Sequence, residues 1–308
     1  MNLQPILLAG PTAVGKSQIA LRLAEELGGE IISVDSMQVY RGMDIGTAKP
    51  SAQERARVPH HLIDVAELTE PFDAARFGRL AHQAMAEIQA RGRVPILCGG
   101  TGLYFKAFLE GLGEAPPADA RLRAELEMIP MADLLRELAG RDPATYARID
   151  RQNPRRVLRA VEVIRLTGKP FSQLRAQWSA GRGTLKAGHF LGLSRARADL
   201  DQRIEARVDA MFQRGLVAET ERLLKRGLAE NKTAMQALGY RQVAEYLRRE
   251  RTLPETIELV KIRTRQFARR QMTWFRKQAK LEWMHIESNG TAEAIAQTLL
   301  GALSSSSA

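Results

Sequence analysis

Cysteine is nearly missing from this sequence: among 308 residues there is one, Cys98, inside the apolar run VPILC. A single thiol closes no internal disulfide and cannot make a zinc knuckle, and a reducing compartment fits best. Histidine is scarce as well, with five residues. The one adjacent pair, His60-His61 in PHHLID, points to opposite faces of a strand, with no cysteine or third histidine nearby. A structural role is expected for it, not a metal centre. Long hydrophobic runs are also lacking, and no stretch approaches the roughly 20 apolar residues of a membrane span. The N-terminal MNLQPILLAG has no basic n-region, so no secretory signal is expected and the protein is read as cytoplasmic. Acidic residues are outnumbered, 35 against 46 Lys and Arg, for a formal net charge of +11. Such an excess favours a polyanionic partner, because each phosphate neutralised releases condensed counterions.

Hydrophobic residues make up 44% of the chain, enough to bury a substantial core. Residues 1–112 read as alternating strands and helices: PILLAG, then the helical SQIALRLAEEL, then EIISVD, then a helix over 73–91, then RVPILCGG. That alternation predicts an α/β fold, a parallel sheet flanked by helices. Near 113 the texture changes. GEAPPADARL is a Pro/Ala-rich break, and 119–180 is Arg-rich and helical without a strand signal. HFLGLS restores a strand at 189–194, a long helical stretch follows from RADLDQ to LLKR, 255–280 is a basic helix, and LEWMHIE reads as a last strand. The expected organisation is a catalytic core of 1–114 and 183–308 interrupted by a helical insertion domain, 115–182. Trp178, Trp274 and Trp283 are expected to pack rather than to stack on bases.

The string Gly10-Pro11-Thr12-Ala13-Val14-Gly15-Lys16-Ser17 fits G-x-x-x-x-G-K-[ST], between an apolar strand and a helix. This is a P-loop: backbone N–H groups converge on anionic oxygens at the positive end of a helix, a lysine adds a cation, and a hydroxyl can ligate magnesium. The loop specifies phosphates and leaves open what they are attached to. An ordinary ATPase also needs an acid at the end of an apolar strand. Here VPILC ends in Gly99-Gly100-Thr101-Gly102 instead, and the acid, Asp35, ends a different strand and leads into Ser36-Met37-Gln38. Ligands of open α/β sheets bind at the carboxyl ends of strands, so the P-loop, Asp35 and Thr101 should face one cleft. The connection DSMQVYRGMDIGTAKP, 35–50, is long and rich in hydroxyls, amides and glycine, suited either to gripping a base or phosphate or to a structural Ω-loop.

Eight collinear strings make the pattern more specific. GPTAVGKS, ISVDSMQVYRGMDIGTAKP, PHHLID, GGTGLY, NPRRVLRAVEV, RVDAM, ALGYRQ and TRQFARRQMTWFR resemble the tRNA dimethylallyltransferases, in the family's order and over nearly the whole chain. Eukaryotic members add a zinc finger for which this chain has no cysteines, so it is similar to the bacterial form.

The resemblance implies a P-loop NTPase-like fold. The implied reaction is transfer of a dimethylallyl group from its diphosphate to N6 of the adenosine at tRNA position 37, beside the anticodon. It further implies that Gly10, Pro11, Thr12, Ala13, Val14, Gly15, Lys16 and Ser17 hold the donor diphosphate, with Mg2+ on Ser17 and Thr12 at the leaving oxygen. Asp35 would act as general base on the adenine amine, or orient it. Ser36, Met37, Gln38 and Thr101 would line the base site, Gln38 reading the base through its amide. Arg203 and Arg207 would clamp the diphosphate from a second side, with either able to reach in. The tRNA anticodon stem-loop would meet Arg123, the run Arg155, Arg156, Val157, Leu158 and Arg159, and the segment Gln236, Ala237, Leu238, Gly239, Tyr240 and Arg241. A monomer is expected. Outside the resemblance two other classes stay open, a small-molecule kinase with an inserted lid and an RNA-stimulated ATPase. A transferase acting on free AMP is a closer variant.

Overall fold

The computed structural model describes residues 4–174 and 189–305. Trp178 and the expected boundary at 182/183 lie outside the described residues. Two compact units divide the chain, one of Met1–Leu109 with Ala180–Ala308, the other of Glu110–Ser179.

The first part of the larger unit runs β1 (Ile6–Ala9), α1 (Lys16–Leu27), β2 (Glu30–Val34), α2 (Ala52–Arg57), β3 (His60–His61), α3 (Ala74–Ala90), β4 (Pro95–Gly99) and α4 (Gly102–Glu110). The smaller unit holds α5 (Ala120–Glu127), α6 (Met131–Arg141), α7 (Pro143–Arg148), α8 (Pro154–Thr167) and α9 (Phe171–Leu174). The larger unit then resumes with β5 (His189–Arg195), α10 (Arg197–Gln213), α11 (Leu216–Lys225), α12 (Tyr240–Leu247), α13 (Leu253–Gln278), β6 (Glu282–Ile286) and α14 (Ala292–Ser305).

The described strands form one sheet in the order β3-β2-β4-β1-β5-β6, every pairing parallel. β1 and β4, ILLA and PILCG, are buried along their whole length, as expected of strands covered on both faces. Their register, Ile6 opposite Ile96 and Ala9 opposite Gly99, brings the two carboxyl ends level. On β2, Val34 pairs with Gly99, so Asp35 leaves the sheet at the same edge. Helix α1 packs its Ile19, Leu23 and Ala24 side against the sheet and ends on Gly28, whose φ of 58° suits a residue without Cβ.

One feature differs from the sequence expectation, and the histidine pair lies in a strand as expected. The helical stretch from RADLDQ to LLKR is two helices, because Gly215 at φ 96° breaks it between α10 and α11. The HH pair is a short edge strand, too brief to carry periodicity, with each ring engaged: His61 Nε2 lies 2.6 Å from Glu30, and His60 Nδ1 lies 2.7 Å from the Val58 carbonyl. Among the described residues no cluster of His, Cys, Asp and Glu could hold a metal ion.

The smaller unit has its own core, with Leu126, Leu134, Leu138, Val157, Val161 and Ile164 buried together. Asp142 caps α7, accepting from the Thr145 N–H at 3.0 Å, and takes both the N–H and the hydroxyl of Ser172, tying the last short helix to the first turns. Among the described residues no helix is long and apolar enough to cross a membrane.

Candidate active site

The P-loop takes its shape from three unusual backbones. Gly10 lies at φ 152°, and a Cβ there would sit 2.7 Å from the Leu193 carbonyl of β5. Gly15 lies at φ 109° and opens α1, and Ala13 adopts φ 64°, a left-handed conformation that costs a residue with Cβ. Two arginines fix the loop from outside: Arg203 of α10 donates from Nε to the Ala13 carbonyl, and Arg195 at the end of β5 donates to the Val14 carbonyl, each at 2.9 Å. Carbonyls turned outward leave the N–H groups facing in, the polarity of an anion nest.

A cavity of about 460 Å3 opens over this loop. Thr12, Ala13, Gly15, Lys16 and Ser17 line one side, Asp35 and Gln38 another, and Arg203, Arg207, Phe267 and Gln271 the wall from α10 and α13. Its cations outnumber its acids: among the described residues Asp35 is the one carboxylate on the wall, against Lys16, Arg203 and Arg207. Burial pushes the Lys16 ammonium down to about 8, with Arg207 pressing the same way. Burial also lowers Arg207, opposed by the Asp35 charge, and lowers Arg203, where Arg195 adds repulsion. Desolvated cations of one sign around an empty volume are what a bound polyanion would relieve. Both arginines line the cavity; Arg203 is already bonded to the loop, whereas the Arg207 guanidinium hydrogen-bonds no other described residue.

Asp35 does two things at once. Its Oδ1 accepts from the N–H groups of Met37 at 2.8 Å and Gln38 at 3.2 Å, an Asx turn that starts the 35–50 loop. Oδ2 accepts no hydrogen bond from another described residue, and the carboxylate lines the cavity. Thr101 stands beside it, its hydroxyl accepting from the Ser36 N–H at 3.2 Å. Ser36, Met37 and Thr101 are therefore neighbours of the cavity wall, whereas Gln38 is part of it. The Gln38 amide is engaged within its own surroundings: Oε1 accepts from Ser33, and Nε2 donates to the carbonyls of Thr47 and Ala48. These bonds hold the 35–50 loop against β2 while Gln38 still lines the cavity.

The segment Gln236–Arg241 divides sharply. Gln236 and Arg241 are exposed, but Ala237, Gly239 and Tyr240 are buried. The Tyr240 hydroxyl donates to Glu219 at 2.6 Å and accepts from the Gly46 N–H at 3.1 Å, while Glu219 also takes the Ile45 N–H. Tyr240 thus supports the 35–50 loop from beneath. In the smaller unit, Arg155 and Arg156 are exposed, Val157 is core, and Leu158 packs against that core. Arg123 and Arg159 both reach the fully buried Glu162, each at 2.7 Å.

Among the wall residues that sequence reasoning missed are Phe267 and Gln271 of α13. TRQFARRQMTWFR stands out in the sequence by its charge, yet Thr264, Ala268, Gln271 and Phe275 recur at inward helical spacing and are buried. An amide on the inward face of a charged helix was the available signal.

A family profile described as IPP transferase matches residues 38–278. The chain belongs to this family. It is a prenyltransferase. It is 45% identical to a tRNA dimethylallyltransferase 1 of Trichlorobacter lovleyi, over 97% of this chain and 99% of the relative. It is 49% identical to a tRNA dimethylallyltransferase of Halorhodospira halophila, over 89% and 90%. Among solved structures, the full-length tRNA isopentenylpyrophosphate transferase of Bacillus halodurans superposes with a TM-score of 0.70 at 40% identity, over 99% of this chain and 98% of that one. The P-loop NTPase-like sheet described above is the fold shared with that enzyme.

Proposed function

We propose that this chain transfers the dimethylallyl group of dimethylallyl diphosphate to N6 of adenosine 37 in tRNA, releasing diphosphate. The observation that carries the reading is the pairing, across one cavity, of a cation-rich P-loop with a single carboxylate whose Oδ2 is open. The P-loop N–H groups, Lys16 and Arg207 bind the diphosphate, and Arg203 holds the loop in shape. The Thr12 hydroxyl hydrogen-bonds the oxygen that leaves. Asp35 accepts a hydrogen bond from N6–H, which orients an amine whose lone pair is drawn into the ring. As the N6–C1 bond forms, the C1–O bond breaks with its electron pair going to diphosphate, and the N6 proton passes to Asp35.

Mg2+ fits the donor set. Ser17 offers a hydroxyl into the cavity, and with no acidic cage among the described residues the ion's remaining ligands would be donor oxygens and water. The ion supplies charge neutralisation on the leaving diphosphate. A base can reach N6 chemistry only out of its stack, and the exposed Arg155 and Arg156, with Gln236 and Arg241, suit backbone contacts that hold the anticodon stem-loop.

The test mixes protein, tRNA, magnesium and dimethylallyl diphosphate and weighs the tRNA. One C5H8 unit should be gained on one adenine, with ATP neither required nor consumed. ATP turnover without a mass gain defeats the proposal. Asp35→Ala should keep tRNA affinity while losing roughly 100- to 10,000-fold in single-turnover rate; a near-normal rate removes the base assignment.

A further inference from the structure

Gln271 lies on α13, far in sequence from the P-loop and Asp35, and is almost fully buried. Its Oε1 accepts from the Thr12 N–H at 2.9 Å, and its Nε2 donates to the Gly100 carbonyl at 3.0 Å. One partner is a donor and the other an acceptor, so a single orientation of the amide satisfies both. Gly100 comes so near that an added Cβ would collide with Nε2. Beyond Gly100 the connection continues: the Thr101 N–H donates to the Val34 carbonyl at 3.2 Å, and the Thr101 hydroxyl accepts from the N–H of Ser36, the neighbour of Asp35. A continuous series of bonds thus runs Thr12, Gln271, Gly100-Thr101, Ser36, Asp35.

We propose that Gln271 is a positioning residue that sets the separation between the Thr12 side of the P-loop and the Asp35 carboxylate. The inference rests on the prenyl-transfer reading, in which those two residues act on opposite ends of one displacement: Thr12 at the departing oxygen, Asp35 at the amine proton. Attack in line with departure fixes how far apart they must be. A rigid amide spanning two backbone groups holds that distance where flexible loops alone would not. Gln271 also occupies the Thr12 N–H, leaving phosphate binding to the N–H groups nearer α1. The consequence is a residue that acts on turnover and not on affinity.

Gln271→Met keeps length and volume but makes neither bond; Gln271→Glu can accept from Thr12 but cannot donate to Gly100; Gly100→Ala evicts the amide from the other side. For Gln271→Met we expect single-turnover prenyl transfer to fall roughly 10- to 100-fold, with Kd for dimethylallyl diphosphate and for tRNA each within about threefold of wild type. Gln271→Glu should fall in the same range. The Gln271→Met/Gly100→Ala double variant should lose little more than either single one, since all sever the same connection. A near-normal rate in folded Gln271→Met or Gln271→Glu overturns the inference. So does loss confined to donor or tRNA affinity, which would make Gln271 a binding residue, and so does full additivity in the double variant. Wild-type protein run alongside separates the two levels: no C5 transfer by wild type defeats the functional reading, whereas active wild type with unaffected variants defeats only the role of Gln271.

Discussion

Lys16 holds its proton against burial and against Arg207, which together bring it to about 8, and its ammonium already donates to the Pro11 carbonyl at 2.6 Å. Before donor binds, it therefore titrates within reach of ordinary buffers. The protonated form binds diphosphate. Below about 8 the charge is present and Lys16 should add no pH dependence to donor affinity. Above it, binding must take up a proton, and Kd should rise roughly tenfold per pH unit. Calorimetric titration with dimethylallyl diphosphate on both sides of that value checks this, and Lys16→Met should bind more weakly with the slope gone. A flat wild-type profile would mean that Lys16 does not carry the pH dependence. Cys98, on the same wall, is pushed by burial to about 11, so its thiol stays protonated and inert across that range.

At the scale of elements, the 35–50 loop is held at several points. The Lys49 side chain, buried, reaches the Tyr40 carbonyl, Asp44 and Asp64, and Glu219 with Tyr240 holds residues 45–46. Tyr240→Phe removes a hydroxyl with two partners and leaves a buried carboxylate short of one. We expect a loss of about 1–3 kcal/mol in urea unfolding and a higher KM for tRNA, with the donor Kd unchanged. An unaltered unfolding midpoint would contradict the bracing role. This brace also marks where sequence reading stops. The strands around VPILC and EIISVD, the P-loop and the basic helix near 255–280 were legible, because each is announced by local pattern: an apolar run, a glycine-rich turn, a capped periodic stretch. Asp35 and Thr101 could be placed together because strand ends of a parallel sheet share an edge. The burial of Tyr240, the inward turn of the Gln38 amide and the reach of Gln271 were not legible. Their partners lie 5 to 259 positions away, and no local periodicity encodes the pairing. Gly215 was visible in the sequence, but its positive φ was not.

For the molecule as a whole, the +11 charge is distributed between two units with separate cores. In the smaller one, Glu162 neutralises part of the charge of Arg123 and Arg159, while Arg155 and Arg156 stand exposed. Affinity for tRNA should fall steeply with salt, and Arg156→Ala should lower the slope of log K against log salt by about 0.7–0.9 if it meets one phosphate. Filter binding across a salt series reads this directly. An unchanged slope would move the RNA contact away from α8.

The sheet order has a consequence for how the protein is made. β1 sits between β4 and β5, and β5 begins at His189, after the entire smaller unit. While the ribosome is still translating that unit, the nascent sheet ends at β1, an apolar strand with one row of unpaired backbone groups. The helix carrying Arg203 and Arg207 and the one carrying Gln271 emerge later still. A chain stopped before β5 should therefore have a P-loop without its supporting arginines and an apolar sheet edge open to other strands.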